Sequence, residues 1–316
     1  MRRFVGALVL AAIPMALAAA PPPQQEPDRS WAFPAPDKGL APEPADSNPR
    51  RAPGSLKTYT VAQIGDLNNP PDWFPDENGP KPQIILHGNG GQVCGCGSCH
   101  LMSGNGHPQS ANLAGQPVAY MLRQLADFKS GARNDQGRMA LLGKELSEEQ
   151  ARQAAEWFST LKPTAWVKVV EGDTIPKTFV NLERMRMPLP GGGTEPIGNR
   201  IIEVPQEPER ALLRDPHSGF VAYVPSGSVD KGAALVKTGG AGKTIACATC
   251  HGPALKGMDE APRIAGLSPT YIARQIFHFQ KGTRGGTSAA LMKAVVANLT
   301  DEDVVAIAAY LASRTP

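Results

Sequence analysis

Apolar residues recur at three-and-four spacing in two stretches of the chain that end alike. Val118–Lys129 carries Met121, Leu122, Leu125 and Phe128, and Thr270–Lys281 carries Ile272, Ile276 and Phe279. Each run stops at a glycine, which predicts an amphipathic helix with a glycine stop. A second pair of helices is announced by Ser147-Glu-Glu-Gln150 and Thr300-Asp-Glu-Asp303, both shaped like a capping box. Ala154, Trp157, Phe158 and Leu161, then Val304, Ile307, Tyr310 and Leu311, form their apolar faces. Val229–Thr238 also has helical spacing, whereas the corresponding stretch Pro82–Gln92 is shorter and glycine-rich, predicting an abbreviated helix. Pro163–Ser228 has β-like pieces (Trp166–Val170, Arg200–Val204, Phe220–Val224) separated by turns such as Pro190-Gly-Gly-Gly193. It is predicted to be a long irregular, partly β connector.

These elements belong to an internal repeat. The sequence 96-CGSCH-100 recurs as 247-CATCH-251, 151 residues later. At the same offset Gly115 meets Gly266, Tyr120 meets Tyr271, Arg123 meets Arg274 and Gln124 meets Gln275; Phe128/Phe279, Gly131/Gly282 and Arg133/Arg284 follow. After a two-residue gap the match resumes at an offset of 153, pairing Met139 with Met292, Leu146 with Leu299, Ser147 with Thr300 and Trp157 with Tyr310. The chain therefore holds two copies of one helical domain, expected at 55–162 and 228–316, with the connector at 163–227.

Composition narrows the partners and the compartment. The 316 residues are 41% hydrophobic and 19% charged, as suits one or two globular domains. Lys+Arg 32 against Asp+Glu 29 gives +3, too balanced for a nucleic-acid-binding surface. Arg2 and Arg3, the 14-residue apolar run Phe4–Leu17 and the small residues Ala16–Ala20 form an export signal, taken as 1–19. An uncleaved anchor is the alternative, but a bilayer span needs about 20 residues. Cleavage after Ala18 or Ala19 leaves a side-chain charge of +1, and no second run of spanning length follows. A soluble periplasmic protein without a membrane span is expected. Ten of the 34 residues from Pro21 to Gly54 are proline, which predicts a tether over 20–54, although docking of Trp31 and Phe33 would turn it into a strap.

The chemistry lies in the two C-x-x-C-H motifs. Two thiols three residues apart can each add across one vinyl group of a haem, making thioethers, and the next residue places an imidazole under the iron. For a single motif a redox dithiol or half a zinc site would stay open. Two copies in an exported chain, within a helical repeat lacking a βαβ pattern, favour haem. Cys96, Cys99 and His100 are thus expected to hold one haem c, and Cys247, Cys250 and His251 a second. The sixth ligand must come from the opposite haem face. Met139 lies 39 residues past His100 and Met292 41 past His251. Methionine sulfur is a soft ligand that binds ferrous iron well and raises the potential. A rival pair, His107 and Met258, aligns at offset 151 but falls only seven residues past the proximal histidine, in a loop expected on the proximal side. Cys94 has no partner in the second copy and is expected to be a free thiol. His87, His217 and His278 are expected at the surface or in hydrogen bonds. Arg123 and Arg274 either pair with haem propionates or line a solvated helix face.

The two halves resemble class I c-type cytochrome domains, and their arrangement is similar to the two-haem cytochromes of the cytochrome c4 type. The phrases 114-AGQPVAYMLRQLADFKSGAR-133 and 265-AGLSPTYIARQIFHFQKGTR-284 resemble that group's helix between haem motif and methionine ligand. The resemblance covers about 180 of 316 residues, roughly 82–162 and 228–316. It implies a mostly α fold of two tandem cytochrome c domains, periplasmic electron transfer, and Met139 and Met292 as distal ligands. It also implies a proline carbonyl behind each proximal imidazole; Pro262 fits, while Ala111 takes that place in the first half. The connector is far longer than the linker usual in that type. The expected function is to carry single electrons between redox proteins, from a dehydrogenase or quinol-oxidising complex to an oxidase or reductase. The alternative is a two-haem peroxidase, which needs one iron with an open or displaceable site and an acid/base group beside it. Two matching methionines and the mutual similarity of the halves argue against it.

Overall fold

The computed structural model describes residues 28–41, 46–134 and 137–316; the expected signal 1–19 lies outside them. The first helical unit runs through α1 (Val61–Gly65), α2 (Gln83–Leu86), α3 (Gly97–His100), α4 (Val118–Ser130), α5 (Met139–Glu145) and α6 (Glu148–Thr160). The second comprises α8 (Ser228–Thr238), α9 (Ala248–His251), α10 (Pro269–Lys281), α11 (Ala289–Val296) and α12 (Asp301–Ala312). Local chemistry sets these limits. Both expected capping boxes form, with Ser147 and Gln150 opening α6 and Thr300 and Asp303 opening α12, each pair bonded reciprocally. α4 and α10 stop at Gly131 and Gly282.

The two units differ in how they cover their last helix. In the second, α8 lies against α12 so closely that a Cβ on Gly232 would stand 2.0 Å from the Ala306 carbonyl oxygen, an approach only glycine permits. In the first, the counterpart α2 is a single turn whose Ile84 and Ile85 join Ala154, Ala155 and Phe158 in a smaller core.

Between the units lie β1 (Val167–Glu171), β2 (Thr174–Pro176), β3 (Thr178–Val180), β4 (Arg186–Pro188), β5 (Thr194–Pro196), β6 (Ile202–Pro205), α7 (Pro208–Leu212) and β7 (Phe220–Val224). β7 is the middle strand of a sheet ordered β1-β7-β6, parallel to β1 and antiparallel to β6. All four residues of β6 are buried. Ile202, Val204 and Val224 share one hydrophobic core with Ala273, Phe277, Val304 and Ile307 of the second unit. The sheet is therefore an ordered flank of that unit, because its apolar positions find the outer faces of α10 and α12.

Two stretches before the first motif are tied to distant parts of the chain. Residues 28–33, expected within a tether, form a strap: Trp31 packs edge-on to Phe277 with ring centres 6.2 Å apart, and Arg29 holds Asp301 with bonds of 2.8 and 2.6 Å. Burying one such aromatic side chain contributes about 2–3 kcal/mol, enough to hold a proline-rich segment that has little else to bury. Residues 50–81, expected partly within the first domain, pack both on the first motif, where Gly95 N donates to the Leu67 carbonyl at 3.0 Å, and on the region between the units. Ala52, Ile64 and Trp73 cluster with Leu213, and Trp73 Nε1 donates to the Leu213 carbonyl at 2.8 Å.

Candidate functional site

α3 and α9 each form one turn, closed by bonds from His100 N to Cys96 O (3.0 Å) and from His251 N to Cys247 O (2.9 Å). His100 Nδ1 lies 2.8 Å from the Ala111 carbonyl oxygen, and His251 Nδ1 lies 2.8 Å from that of Pro262. A carbonyl only accepts, so in both rings Nδ1 carries the proton and Nε2 keeps its lone pair. Ala111 does what Pro262 does, because the backbone oxygen and not the ring makes the bond. Burial holds both imidazoles below the ordinary histidine pKa, so they are neutral, the form that binds iron.

One continuous cavity of about 1730 Å³ is lined by His100 and His251, by Cys96, Cys99, Cys247 and Cys250, and by Met139 and Met292. Its walls are largely apolar side chains, among them Met121, Phe158, Ile272 and Ile307. This shape and donor set fit two haem groups. They do not fit a redox dithiol, whose thiols need depressed pKa values, and among the described residues no group of three or more His, Cys, Asp or Glu side chains comes together to hold a metal ion. Burial pushes the Cys96 thiol up to about 12 and the Cys247 thiol up to about 11.

Met139 opens α5 and Met292 lies inside α11, both half-buried. His107 belongs to the loop whose Ala111 carbonyl holds His100. Its Nδ1 accepts from Gln109 N at 3.2 Å and its Nε2 meets Ser110 Oγ at 3.2 Å, while burial pushes its pKa down to about 3. Met258 is 45% exposed. Cys94 is buried, with Ser98 Oγ donating to its sulfur at 3.7 Å. His87, His217 and His278 each meet a polar side chain, at Asn69 (2.8 Å), Glu77 (2.9 Å) and Thr283 (2.7 Å).

The contact between the halves was not legible in the hydrophobic pattern. Gln124 Oε1 accepts from Arg133 Nη1 (2.8 Å) and Arg284 Nη2 (2.9 Å). Gln275 Oε1 accepts from Arg133 Nη2 (2.8 Å) and Arg284 Nη1 (3.0 Å), so each glutamine serves both arginines. Gln116 and Arg263 exchange two further bonds across the same contact, at 3.1 and 3.0 Å. Arg123 binds the Glu260 carboxylate, and Arg274 donates to the Pro108 carbonyl at 2.6 Å. Neither arginine lines a solvated face; each holds the other half's loop after the motif. The signal for this contact was the repeat itself, which keeps Gln124/Gln275 and Arg133/Arg284 identical at polar positions beside the apolar stripe.

Residues 229–315 match the family model described as Cytochrome c. The chain is 29% identical over 226 residues to a protein of Thiomonas intermedia named thiosulfate dehydrogenase electron acceptor, a match covering 71% of this chain and 80% of that one. It is 26% identical over 223 residues to cytochrome c4 of Pseudomonas aeruginosa, covering 68% of this chain and 82% of the relative. Its fold is similar to part of a solved thiosulfate dehydrogenase from Marichromatium purpuratum, with a TM-score of 0.50 and 24% identity over 72% of this chain and 38% of that one.

Proposed function

We propose, for a chain that belongs to the two-haem class I cytochromes of the cytochrome c4-like type and carries electrons on covalently bound haem c, a specific set of attachment and ligand residues. Cys96 and Cys99 would attach one haem, and His100 and Met139 would hold its iron. Cys247 and Cys250 would attach the other, and His251 and Met292 would hold its iron. One observation carries this reading: both motif histidines are locked by the same 2.8 Å Nδ1–carbonyl bond, with Nε2 left for a cavity that both methionines also line.

Each bound haem supplies an iron that takes up and returns one electron. The chain does the rest. The Ala111 and Pro262 carbonyls fix the imidazoles and raise their basicity. The methionine sulfurs favour the reduced state, and the apolar walls keep water away. The peroxidase alternative has no support, since the relatives are an electron acceptor and a cytochrome c4 by name, and each half of this chain offers a methionine for the sixth position.

The haem units are 55–162 and 228–316. Export with loss of residues 1–19 places the protein in the periplasm; no helix of the described residues is long and apolar enough to cross a membrane. A dehydrogenase serves as donor, in line with the name of the Thiomonas relative. Pyridine haemochrome analysis should give two haems per chain that survive acid–acetone extraction. Changing Cys247 and Cys250 to Ala should remove one and keep the other. One haem in the parent protein, or extractable haem, would overturn the reading.

A further inference from the structure

The loop that fixes His251 carries a cation into the contact between the halves. Arg263 follows Pro262, whose carbonyl locks His251, and is 2% exposed. Its Nη1 donates to the Ala265 carbonyl at 2.7 Å. Its Nη2 donates to Asn112 Oδ1 at 2.8 Å and to the Ala114 carbonyl at 3.1 Å. Asn112 in turn follows Ala111, whose carbonyl locks His100. The side chain therefore joins the two loops that fix the imidazoles. At the repeat's offset of 151, Asn112 and Arg263 are equivalent positions, so the residue meets its own counterpart. One half supplies a charge where the other supplies an amide.

Among the described residues, nothing that Arg263 touches carries a negative charge. Its three acceptors are all neutral, and its buried Nε has no hydrogen-bond partner. Glu260, three residues earlier in the same loop, is held by Arg123. Burial pushes the guanidinium down to about 10, which leaves it charged at neutral pH. A lone buried charge is costly to the fold. Joining the halves does not require one, since Gln116 does so with the Arg263 backbone through bonds of 3.1 and 3.0 Å. The charge also lines the common cavity. An iron that gives up an electron gains one positive charge, and a fixed cation in a low dielectric opposes that change.

Resting on the ligand assignment above, we propose that Arg263 sets the potentials of both haems. Its charge, held between the two histidine loops, favours ferrous iron at each site and raises the two reduction potentials together.

Potentiometric titration of the holoprotein at about pH 6, where a lysine at this position keeps its proton, tests the charge. Arg263→Met should lower both potentials by the equivalent of about a tenfold loss in the ferrous-to-ferric ratio, about 59 mV for one electron. Coulomb's law gives that size for charges about ten ångströms apart at an effective dielectric of about 20. The shift should persist from about 0.01 M to about 1 M salt, because a buried charge is little screened. Arg263→Lys keeps the charge and loses the planar fork, so its ratios should stay within about threefold of the parent while it unfolds at lower urea. Asn112→Asp places a counter-charge on the 2.8 Å contact without cutting it. Both potentials should fall there too, which keeps the proposal testable if Arg263→Met does not fold. Unmoved potentials in Arg263→Met or Asn112→Asp, a shift confined to one haem, or equal shifts in Arg263→Met and Arg263→Lys would each overturn the shared charge. Haem content measured on the same samples separates the two claims. A count other than two in the parent refutes the attachment reading, whereas two haems with unmoved potentials refutes the role of Arg263 alone.

Discussion

Glu203 gives the sharpest test of how the sheet is joined to the second haem unit. It lies on β6, 3% exposed, with Oε2 accepting from Ser268 Oγ at 2.7 Å and more weakly from Thr270 N at 3.4 Å. Oε1 meets no hydrogen-bond partner among the described residues. Burial outweighs these bonds and the charge of Arg274, pushing the carboxyl from 4.5 up to about 7. An acid raised in this way is protonated in the fold while ionised in the unfolded chain, so folding takes up a proton between those values. The associated stability is fully present below pH 4.5 and is lost as pH rises through about 7. At about 1.4 kcal/mol per pH unit, the gap corresponds to about 3 kcal/mol. Glu203→Gln keeps the shape and removes the titration. Urea unfolding of both proteins from pH 4 to 8.5 cancels every other titrating group in the difference. The parent protein should lose about 3 kcal/mol relative to the variant across that range, a shift in Tm of several degrees for a chain of this size. Parallel pH profiles would show that water reaches the carboxylate, and the argument from burial would fail.

Met139→Ala and Met292→Ala should each remove about half of the sulfur-to-ferric-iron absorption in the far red and lower the potential of one haem, whereas His107→Ala and Met258→Ala should leave that band in place. A band that survives Met139→Ala but disappears with His107→Ala would reassign the first ligand. Gln275→Leu deletes the acceptor of two charge-assisted bonds from Arg133 and Arg284. It should cost about 2–4 kcal/mol in urea denaturation, with haem content unchanged. A cost below about 0.5 kcal/mol would mean that both arginines are satisfied by other partners.

The helices and the two C-x-x-C-H turns were legible because each rests on a local rule. Three-and-four spacing, a capping box or a C-x-x-C-H motif is complete within a few residues, and α4, α6, α10 and α12 arise where those signals stand. What could not be read depends on partners distant in sequence. Trp31 and Phe33 sit in a proline-rich stretch, and only the presence of Phe277 and His278 on α10 decides between tether and strap. The alternation in Phe220–Val224 announces a strand, but nothing local says that it will lie parallel to β1 and bury itself against the second unit. Arg123 and Arg274 are the clearest case. Both candidate roles considered for them were local to their own half, while their acceptors lie 137 and 166 residues away in the other.

One difference between the halves, in the segment before each motif, accounts for the cover over the first motif. The family match spans 229–315, beginning within α8, the helix whose glycine contact with α12 closes the second core. The first half cannot build that helix. After the single turn of α2, Gly88 takes a φ of 66°, and a Cβ there would stand 1.9 Å from the Val93 carbonyl oxygen. The chain must therefore turn back tightly before the motif. Without the long helix, the motif side of the first unit lacks a wall. Residues 50–81 and the Arg214 region supply one, bonded to each other and to the motif backbone. This wall covers the first motif, where Ser98 is 5% exposed, while the second motif leaves Thr249 and Cys250 in contact with solvent.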